Sequence, residues 1–221
     1  MMLKIDLHVH TCHSDSSGSV REILEVARRR GLDGIAIMDH DTTEAVCEAL
    51  EERGKLIIIG GEEVKTKRGE ILALGINETI QKELTITDTI NRIHTQGGLA
   101  VIPHPSIPFF SKLREKDMRS LPIDGLEAFS AITPFSQHFL RRNLELAQRL
   151  GKPVTGGSDS HHPATVGDAY TIVYSETREP IDILQAIKLG QTEVGGNPSK
   201  LAFKLRMTGG LFTHIFRNSH N

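Results

Sequence analysis

Short apolar runs and amphipathic stretches alternate along the chain. The apolar runs predict β-strands over 3–7, 34–38, 56–59, 71–76, 99–102, 125–129, 154–156 and 170–173. The stretches with helical spacing predict helices over 19–30, 41–50, 87–95, 135–150 and 180–189. Ser19 with Glu22, and Asp41 with Glu44, have the spacing of helix capping boxes. The segment 106–122 is irregular, with one short helix at most, and the tail from Pro198 has no clear period.

This alternation is typical of an α/β fold with a parallel sheet. About seven strand–helix units fit either an open sheet or a closed barrel. An open sheet binds ligands at one switch point, whereas polar clusters follow several different strands of this chain. Because a barrel gathers all its strand ends around one opening, the pattern favours a barrel. No repeat or linker divides the sequence, so we expect a single domain over residues 1–221.

Composition narrows the class of protein. The net charge of -2 and the pI near 6.6 argue against a strongly basic nucleic-acid surface. The two cysteines make no disulfide framework, which favours a reducing cytoplasm, and we expect Cys12 to be a small buried filler rather than a metal ligand. The N-terminus lacks the pattern of a signal peptide, and no run reaches the ~18 apolar residues of a membrane helix. We therefore expect a cytoplasmic protein that does not span a membrane.

The chemistry is concentrated where strands end. Asp6, His8 and His10 close the first strand, and strand alternation predicts that they share one face. Burying such a group is costly unless a metal ion compensates it. We expect Asp6, which lies deeper in the strand, to orient a ligand His. Later strand ends carry further His and carboxylate residues: His40, Glu63, His104, Asp159 and His161. Alone, each would more often be solvated or hydrogen-bonded, but their convergence favours a metal site.

Mixed His and carboxylate ligands suit Zn, Mn or Fe. Two such ions ~3.5–4 Å apart generate hydroxide at neutral pH and stabilise an in-line displacement. The sequence therefore predicts a hydrolase, with a phosphate ester as the favoured substrate. It contains neither a glycine-rich nucleotide loop nor a serine nucleophile elbow, so we expect no nucleotide cofactor.

The ordered motifs resemble those of the PHP (polymerase and histidinol phosphatase) family. They are Asp6-Leu-His-Val-His10 with Ser14-Asp15, Met38-Asp-His-Asp41, Gly61-Glu-Glu63, Pro103-His-Pro105 and Gly157-Ser-Asp-Ser-His161. The match runs in order from residue 6 to about residue 197. The resemblance implies a distorted (β/α)7 TIM-like barrel and a stand-alone metal-dependent phosphoesterase. Its substrate would be a small phosphorylated metabolite or nucleotide, with nucleic acid less favoured.

The resemblance also implies how two or three divalent ions are held. One ion takes four side chains: His8, His10, Glu63 and Asp159. A second shares Glu63 and takes His104. A third takes three side chains: Asp15, His40 and His161. The implied catalytic residues are Glu63, His104, Asp159 and His161. Many relatives carry a further His where this chain has Leu72, so the second ion loses a ligand.

Several assignments stay open at this stage. Asp39 either supports a ligand His or is solvated, and Asp41 is a supporting or capping group. His13 is an alternative ligand to Asp15, while His162 contacts either substrate or solvent. Candidate phosphate-binding pairs are Arg141-Arg142 and Lys112 with Arg114, and we expect surface or packing roles for His94, His138, His214 and His220.

Competing functions are hydrolysis of a non-phosphate bond and a non-catalytic, metal-binding regulatory module. An exonuclease is disfavoured by the neutral charge balance and the few aromatic residues. The sequence names neither the substrate, the metal nor the oligomeric state.

Overall fold

The structure is a computed structural model that describes residues 1–107, 113–200 and 203. Its strands are β1 (Met2–Val9), β2 (Gly34–Ile37), β3 (Ile57–Ile59), β4 (Gly61–Thr66), β5 (Gly69–Leu74), β6 (Leu99–Ile102), β7 (Gly125–Ser130), β8 (Val154–Gly157), β9 (Ala169–Tyr174) and β10 (Thr192–Gly196). Its helices are α1 (Val20–Arg29), α2 (Ala45–Glu52), α3 (Ile86–Thr95), α4 (Glu115–Arg119), α5 (Ser136–Leu150) and α6 (Pro180–Lys188). None of these helices is both long and apolar enough to cross a membrane.

The described strands form two mixed five-stranded sheets, in the orders β10-β9-β1-β2-β3 and β4-β5-β6-β7-β8. The predicted (β/α)7 TIM-like barrel is therefore wrong, although the α/β class holds. The reason lies in two connections. β3 passes into β4 across Gly60 alone, which leaves no room for the crossover helix that a parallel pair needs. β4 then pairs antiparallel with β5, and β9 pairs antiparallel with both β1 and β10.

The first junction between the sheets lies where β1 and β8 end. His10 donates its backbone N–H to the carbonyl of Ser160 at 3.0 Å, and Asp159 donates to the carbonyl of His8 at 2.8 Å. These bonds join a strand of one sheet to the segment that follows a strand of the other. The predicted ligands of β1 and β8 are thereby fixed beside each other.

The second junction lies where β2 ends beside β4. Glu63 donates its backbone N–H to the carbonyl of Asp39 at 3.0 Å and accepts from the N–H of Asp41 at 3.1 Å. His40 lies between these two aspartates and forms an isolated parallel bridge with Glu63. Both junctions therefore consist of residues in or next to the predicted metal site.

An apolar core fills the space between the sheets. Side chains of β1, β3, β5 and β6 meet there, and α6 contributes Ile183 and Ile187. Leu72 belongs to this core and is fully buried. Each large aliphatic side chain buried in this way stabilises the fold by about 1.5–3 kcal/mol. The polar residues of the two junctions lie on the same strands as this core.

Local predictions fare unevenly. The capping box of Ser19 and Glu22 is confirmed, because both of its hydrogen bonds are present at the start of α1. The box predicted for Asp41 and Glu44 is wrong: α2 begins at Ala45, and the Asp41 carboxylate instead accepts the N–H of Lys65 at 2.8 Å. Cys12 is exposed rather than buried, and β10 was not predicted. The tail after residue 203 lies outside the described residues.

Asp6 ties β1 to the segments around β8 and β9. The pairing of β1 with β2 shifts register between Asp6 and Val9, and such a shift changes which side chains share a face. Asp6 consequently does not join the His cluster. Its carboxylate accepts the backbone N–H and hydroxyl of Ser158 at 2.8 and 2.6 Å, and the N–H of Gly167 at 2.8 Å. Burial raises the pKa of Asp6 to about 6, against the lowering effect of these hydrogen bonds.

We predict that Asp6→Ala destabilises the fold, because it leaves the donors of Ser158 and Gly167 without their acceptor. The free energy of unfolding should fall by about 3 kcal/mol. Urea denaturation followed by circular dichroism measures this loss. Glu51→Ala, at an exposed position of α2, is the control. A loss equal to that of the control would contradict a structural role for Asp6.

Candidate metal centre

Four of the predicted ligands converge in a buried group, which we call the inner group: His8, His10, Glu63 and Asp159. His8 Nε2 lies 3.0 Å from His10 Nε2 and 3.3 Å from Glu63 Oε2. His10 Nε2 lies 3.4 Å from the same carboxylate oxygen. Asp159 Oδ1 lies 3.6 Å from His8 Nε2 and 3.5 Å from His10 Nε2. Candidate ligand atoms of His8, His10 and Glu63 all lie within 4.8 Å of one another, and Asp159 joins them through its distances to the two imidazoles.

The spacing of the inner group fits a divalent metal ion. Ligand atoms about 2.0–2.2 Å from one tetrahedral ion stand about 3.3–3.6 Å apart. The distances from His8 and His10 to the two carboxylates fall in this range. In addition, His10 Nδ1 and Glu63 Oε1 are buried without a hydrogen-bond partner among the described residues. Buried polar atoms without partners are costly, and a cation beside them removes that cost.

The remaining predicted ligands of the third ion form an outer group with His10: Asp15, His40 and His161. Their candidate ligand atoms, with one from His10, all lie within 4.8 Å of one another. Asp15 Oδ1 lies 3.2 Å from His161 Nε2, and Asp15 Oδ2 lies 3.7 Å from His40 Nε2. The structure therefore brings Asp15, His40 and His161 together as predicted. It also adds His10, which belongs to both groups.

His104 approaches the inner group from β6. Its Nε2 lies 3.9 Å from Glu63 Oε1, the carboxylate oxygen that faces away from His8 and His10. Its ring stacks on that of His8, with centroids 6.3 Å apart. His104 has a positive φ of 28° and Asp159 one of 54°. Left-handed backbone at non-glycine residues is strained and is concentrated at functional sites.

Electrostatics in the inner group favours charged forms despite burial. Burial opposes ionisation of Glu63, but the charges of His8, His40 and His10 and the hydrogen bond from His8 lower its pKa to about 2. Burial likewise works against the charge on His8, yet Glu127, Asp159 and Glu63 hold its pKa well above the usual value. Without an ion, the carboxylates are thus stabilised by protonated imidazoles, whose place a metal cation can take.

The histidines of the outer group differ in pKa: that of His10 is lowered and that of His161 is raised. Burial and the charges of neighbouring imidazoles, His161 first, lower the pKa of His10 to about 4. Burial disfavours the charge on His161, but a hydrogen bond to Asp15 and the charges of Asp159 and Asp15 raise its pKa to about 9. Burial opposes ionisation of Asp15 as well, and the hydrogen bond and charge of His161 nevertheless hold its pKa below the usual range.

Glu127 supports the site and was missed by sequence reasoning. This buried residue of β7 places Oε1 2.8 Å from His8 Nδ1, and its Oε2 accepts the backbone N–H of His104 at 3.1 Å. One carboxylate thereby orients the ring of one predicted ligand and the backbone of another. Metal-binding His residues commonly need such an acceptor. The available signal was a lone Glu inside the apolar run 125–129.

Asp39 organises the loop that presents Asp15. Its carboxylate accepts the backbone N–H and the hydroxyl of Thr11, both at 2.6 Å, and the hydroxyl of Ser14 at 2.6 Å. Asp39 is fully buried, so the solvated alternative is wrong. Asp39 thus stabilises the loop that carries Asp15. Asp6, by contrast, accepts the backbone N–H of His8 at 3.3 Å and does not bond to the His8 ring.

Other candidate residues point elsewhere. His13 Nε2 lies 3.1 Å from Glu48 Oε2 on α2, so it does not replace Asp15 in the outer group. His162 Nδ1 accepts the N–H of Ala164 and caps a short 3-10 turn. His94 Nε2 lies 2.7 Å from a carboxylate oxygen of Asp124, in line with its expected surface or packing role. Lys112, His214 and His220 lie outside the described residues.

Close packing at Gly157 sets the position of His8. A Cβ atom on Gly157 would lie 2.4 Å from the Cβ of His8 and 2.7 Å from its backbone nitrogen. Only glycine allows β8 to approach β1 this closely. The same approach brings Asp159, two residues later, into contact with the inner group.

A cavity of about 320 Å³ lies along α4 and α5, and its lining includes Pro105, the residue that follows His104. Its wall begins at Pro105 and continues along α4 and α5, and the lining residues are Pro105, Ser106, Leu113, Glu115, Met118, Arg142, Glu145, Leu146 and Arg149. Its volume is at the lower end for small-ligand pockets. Arg142, from one of the predicted phosphate-binding pairs, lines this cavity.

Comparison with known proteins identifies the family. Residues 137–192 match the family model described as PHP-associated. An uncharacterized protein from Methanocaldococcus jannaschii is 38% identical over 142 residues, which cover 58% of this chain and 82% of that protein. A two-domain protein from Bacteroides vulgatus, containing a predicted PHP-like metal-dependent phosphoesterase, superposes with a TM-score of 0.75 at 18% identity, over 89% of this chain and 65% of that chain. The chain belongs to the PHP family.

One further PHP relative has a named activity. The phosphoribosyl 1,2-cyclic phosphate 1,2-diphosphodiesterase of Eggerthella lenta is 41% identical over 81 residues, which cover 33% of this chain and 31% of that enzyme. The predicted resemblance is thus confirmed. The predicted class, a metal-dependent phosphoric ester hydrolase, agrees with the descriptions of the Bacteroides vulgatus and Eggerthella lenta proteins.

We predict that Glu127→Gln weakens metal binding without unfolding the protein. The amide cannot supply the negative charge that orients and polarises the His8 ring, and losses of this kind cost about 10–100-fold in metal affinity. Competition with a chromophoric chelator measures the affinity. Glu193→Gln, on the exposed edge strand β10, is the matched control. Unchanged affinity in Glu127→Gln would show that His8 does not depend on this carboxylate.

Proposed function

We propose that the chain is a phosphoesterase that hydrolyses a small phosphorylated metabolite or nucleotide at a site of two or three divalent ions. The observation that supports this most directly is the spacing of the inner group. Its imidazoles and carboxylates lie 3.3–3.6 Å apart across the His–carboxylate pairs, although all four residues are buried. A buried set of this composition is costly without an ion, and its spacing suits one.

In this proposal the ligands are the residues predicted from the sequence. His8, His10, Glu63 and Asp159 hold the innermost ion, and Glu63 shares its second oxygen with an ion at His104. The outer group holds the remaining ion through Asp15, His40 and His161. Zn, Mn and Fe are the candidate metals, because each accepts imidazole together with carboxylate.

Exposure increases from the inner to the outer group and suggests where substrate enters. The side chains of His8 and His10 are fully buried, that of His40 is 32% exposed, and that of Asp15 is 54% exposed. We infer that the phosphate approaches past His40 and Asp15. The bound ions would supply Lewis acidity and lower the pKa of a water molecule. His161 and Asp159 would hold their positions beside the reacting phosphate through the hydrogen bond and charges described above.

The cavity that begins at Pro105 is of a size that suits part of a small substrate. Arg142 lines it and can bind an anionic or hydroxyl-rich part of the molecule, while Glu115 and Arg149, which also line it, pair with each other at 3.2 Å. A polar cavity of this volume accommodates a sugar phosphate or a nucleoside. We propose that the catalytic unit is a single domain over residues 1–221.

We predict that Glu63→Gln nearly abolishes hydrolysis. Glu63 contacts three imidazoles through one oxygen and a fourth through the other, so neutralising it weakens every ion position. The rate should fall at least about a hundredfold. The assay is turnover of aryl phosphate monoesters and diesters by the metal-reconstituted protein. Glu62→Gln is the control, because Glu62 bonds to the N–H of Ile80 outside the site.

The same assay includes an aryl carboxylic ester. Turnover of that ester alone would contradict phosphoester hydrolysis and favour the non-phosphate alternative. Stoichiometric metal binding without turnover of any phosphoester would favour the regulatory module.

A further inference from the structure

Glu70 on β5 is a carboxylate that neither ligand group uses. Side chains alternate along a strand, so Glu70, Leu72 and Leu74 lie on one face of β5. Leu72 and Leu74 are part of the core between the two sheets. In the β4–β5 ladder, Leu72 pairs with Glu63 and Glu70 pairs with Lys65. Glu70 therefore lies on the inward face of β5, two residues before Leu72, which is the residue opposite Glu63.

Residues of the predicted metal site act electrostatically on Glu70. Burial raises its pKa to about 7, and the nearby charges that act on it are those of Glu63, His40, His104 and Asp159. These four residues come from four other strands or strand ends, and the space they share is the site. Glu70 itself is half-buried. The carboxylate of Glu70 belongs to neither of the two groups whose candidate ligand atoms lie within 4.8 Å of one another, so it would turn toward the ion as the ion binds.

The ion position at His104 draws its assigned ligands from two described residues. Glu63 Oε1 is buried and has no hydrogen-bond partner among the described residues, and it lies 3.9 Å from His104 Nε2. Leu72, opposite Glu63, offers no ligand atom. Metal sites that catalyse hydrolysis commonly have three protein ligands, and Glu63 and His104 are the two assigned to this position among the described residues.

We propose that Glu70 supplies the third protein ligand to the ion held by Glu63 Oε1 and His104 Nε2. This inference rests on the proposed metal-dependent function and assigns a residue that the sequence motifs did not include. Glu70 and Leu72 are neighbours on the same face of β5, and only Glu70 offers a ligand atom. In this chain, an oxygen ligand from Glu70 would take the place of the nitrogen ligand that a His at position 72 supplies in many relatives.

The proposal has a consequence for metal preference. Two carboxylates and one imidazole form a harder ligand set than the inner group, which has two imidazoles. Harder sets favour Mn²⁺ over Zn²⁺ relative to nitrogen-rich sets. We therefore expect the Glu70 position to be the one that accepts Mn²⁺ most readily when Zn²⁺ fills the inner group.

The test counts metal ions in the full chain independently of activity. Metal-free wild type and Glu70→Gln are titrated with Mn²⁺, and free Mn²⁺ is measured by electron paramagnetic resonance. The proposal predicts that Glu70→Gln loses one equivalent of bound Mn²⁺ or binds it at least about tenfold more weakly. Glu62→Gln is the matched control, since burial also raises the pKa of Glu62 to about 7 while its carboxylate bonds outside the site.

A second variant separates ligand loss from misfolding. A His placed at position 72 lies opposite Glu63 and on the same face as Glu70, so Glu70→Gln with Leu72→His should regain the lost equivalent. With Co²⁺, the regained site should add visible absorption. Thermal denaturation of the metal-free proteins checks folding, and Glu70→Gln should be no less stable than wild type because the buried charge is removed.

The outcomes are distinguishable from those of the proposed function. If wild type binds no Mn²⁺ or Zn²⁺, the metal-dependent function itself fails. If wild type binds ions and Glu70→Gln binds them with equal number and affinity, only the assignment of Glu70 is overturned. Loss of an equivalent in both Glu70→Gln and Glu62→Gln would also overturn it, because the effect would then follow from removing any buried carboxylate.

Discussion

The structure depends on one buried carboxylate shared by several imidazoles. Glu63 Oε2 lies 3.3–3.5 Å from ring nitrogens of His8, His10 and His40, and Oε1 faces His104 at 3.9 Å. The backbone of the same residue forms one of the two junctions between the sheets. The position of each sheet and the geometry of the site are therefore set by the same contacts.

This arrangement couples stability to ligand binding. Ionisable groups lie on the same strands as an apolar core, so desolvation opposes their charges while mutual attraction favours them. In the ion-free chain, protonated imidazoles supply the positive charge that Glu63 and Asp159 need. A divalent ion supplies the same charge and leaves the imidazole nitrogens free to bind it, so ion binding also stabilises the fold.

Much of the site could be predicted because strand ends are visible as apolar runs that stop at His or carboxylate residues. His8, His40 and His104 were found in this way. The closed barrel was predicted wrongly, because Gly60 alone connects β3 to β4 where a barrel has a crossover helix. In addition, apolar runs do not show whether neighbouring strands are parallel or antiparallel. Glu127 was missed for a related reason: it lies inside a strand rather than at its end, and its partner His8 is distant in sequence. Asp6 was misplaced because a register shift is invisible to strict alternation.

Crystals of the chain grown with Mn²⁺ or Zn²⁺ provide the most direct test of the central claim. Anomalous difference maps recorded at the metal absorption edge locate each ion without reference to activity. The account predicts a peak among His8 Nε2, His10 Nε2, Glu63 Oε2 and Asp159 Oδ1, with the two imidazoles and both carboxylates within about 2.0–2.2 Å of it. Fully occupied metal peaks elsewhere, with this group retaining its direct hydrogen bonds and no ion, would contradict it.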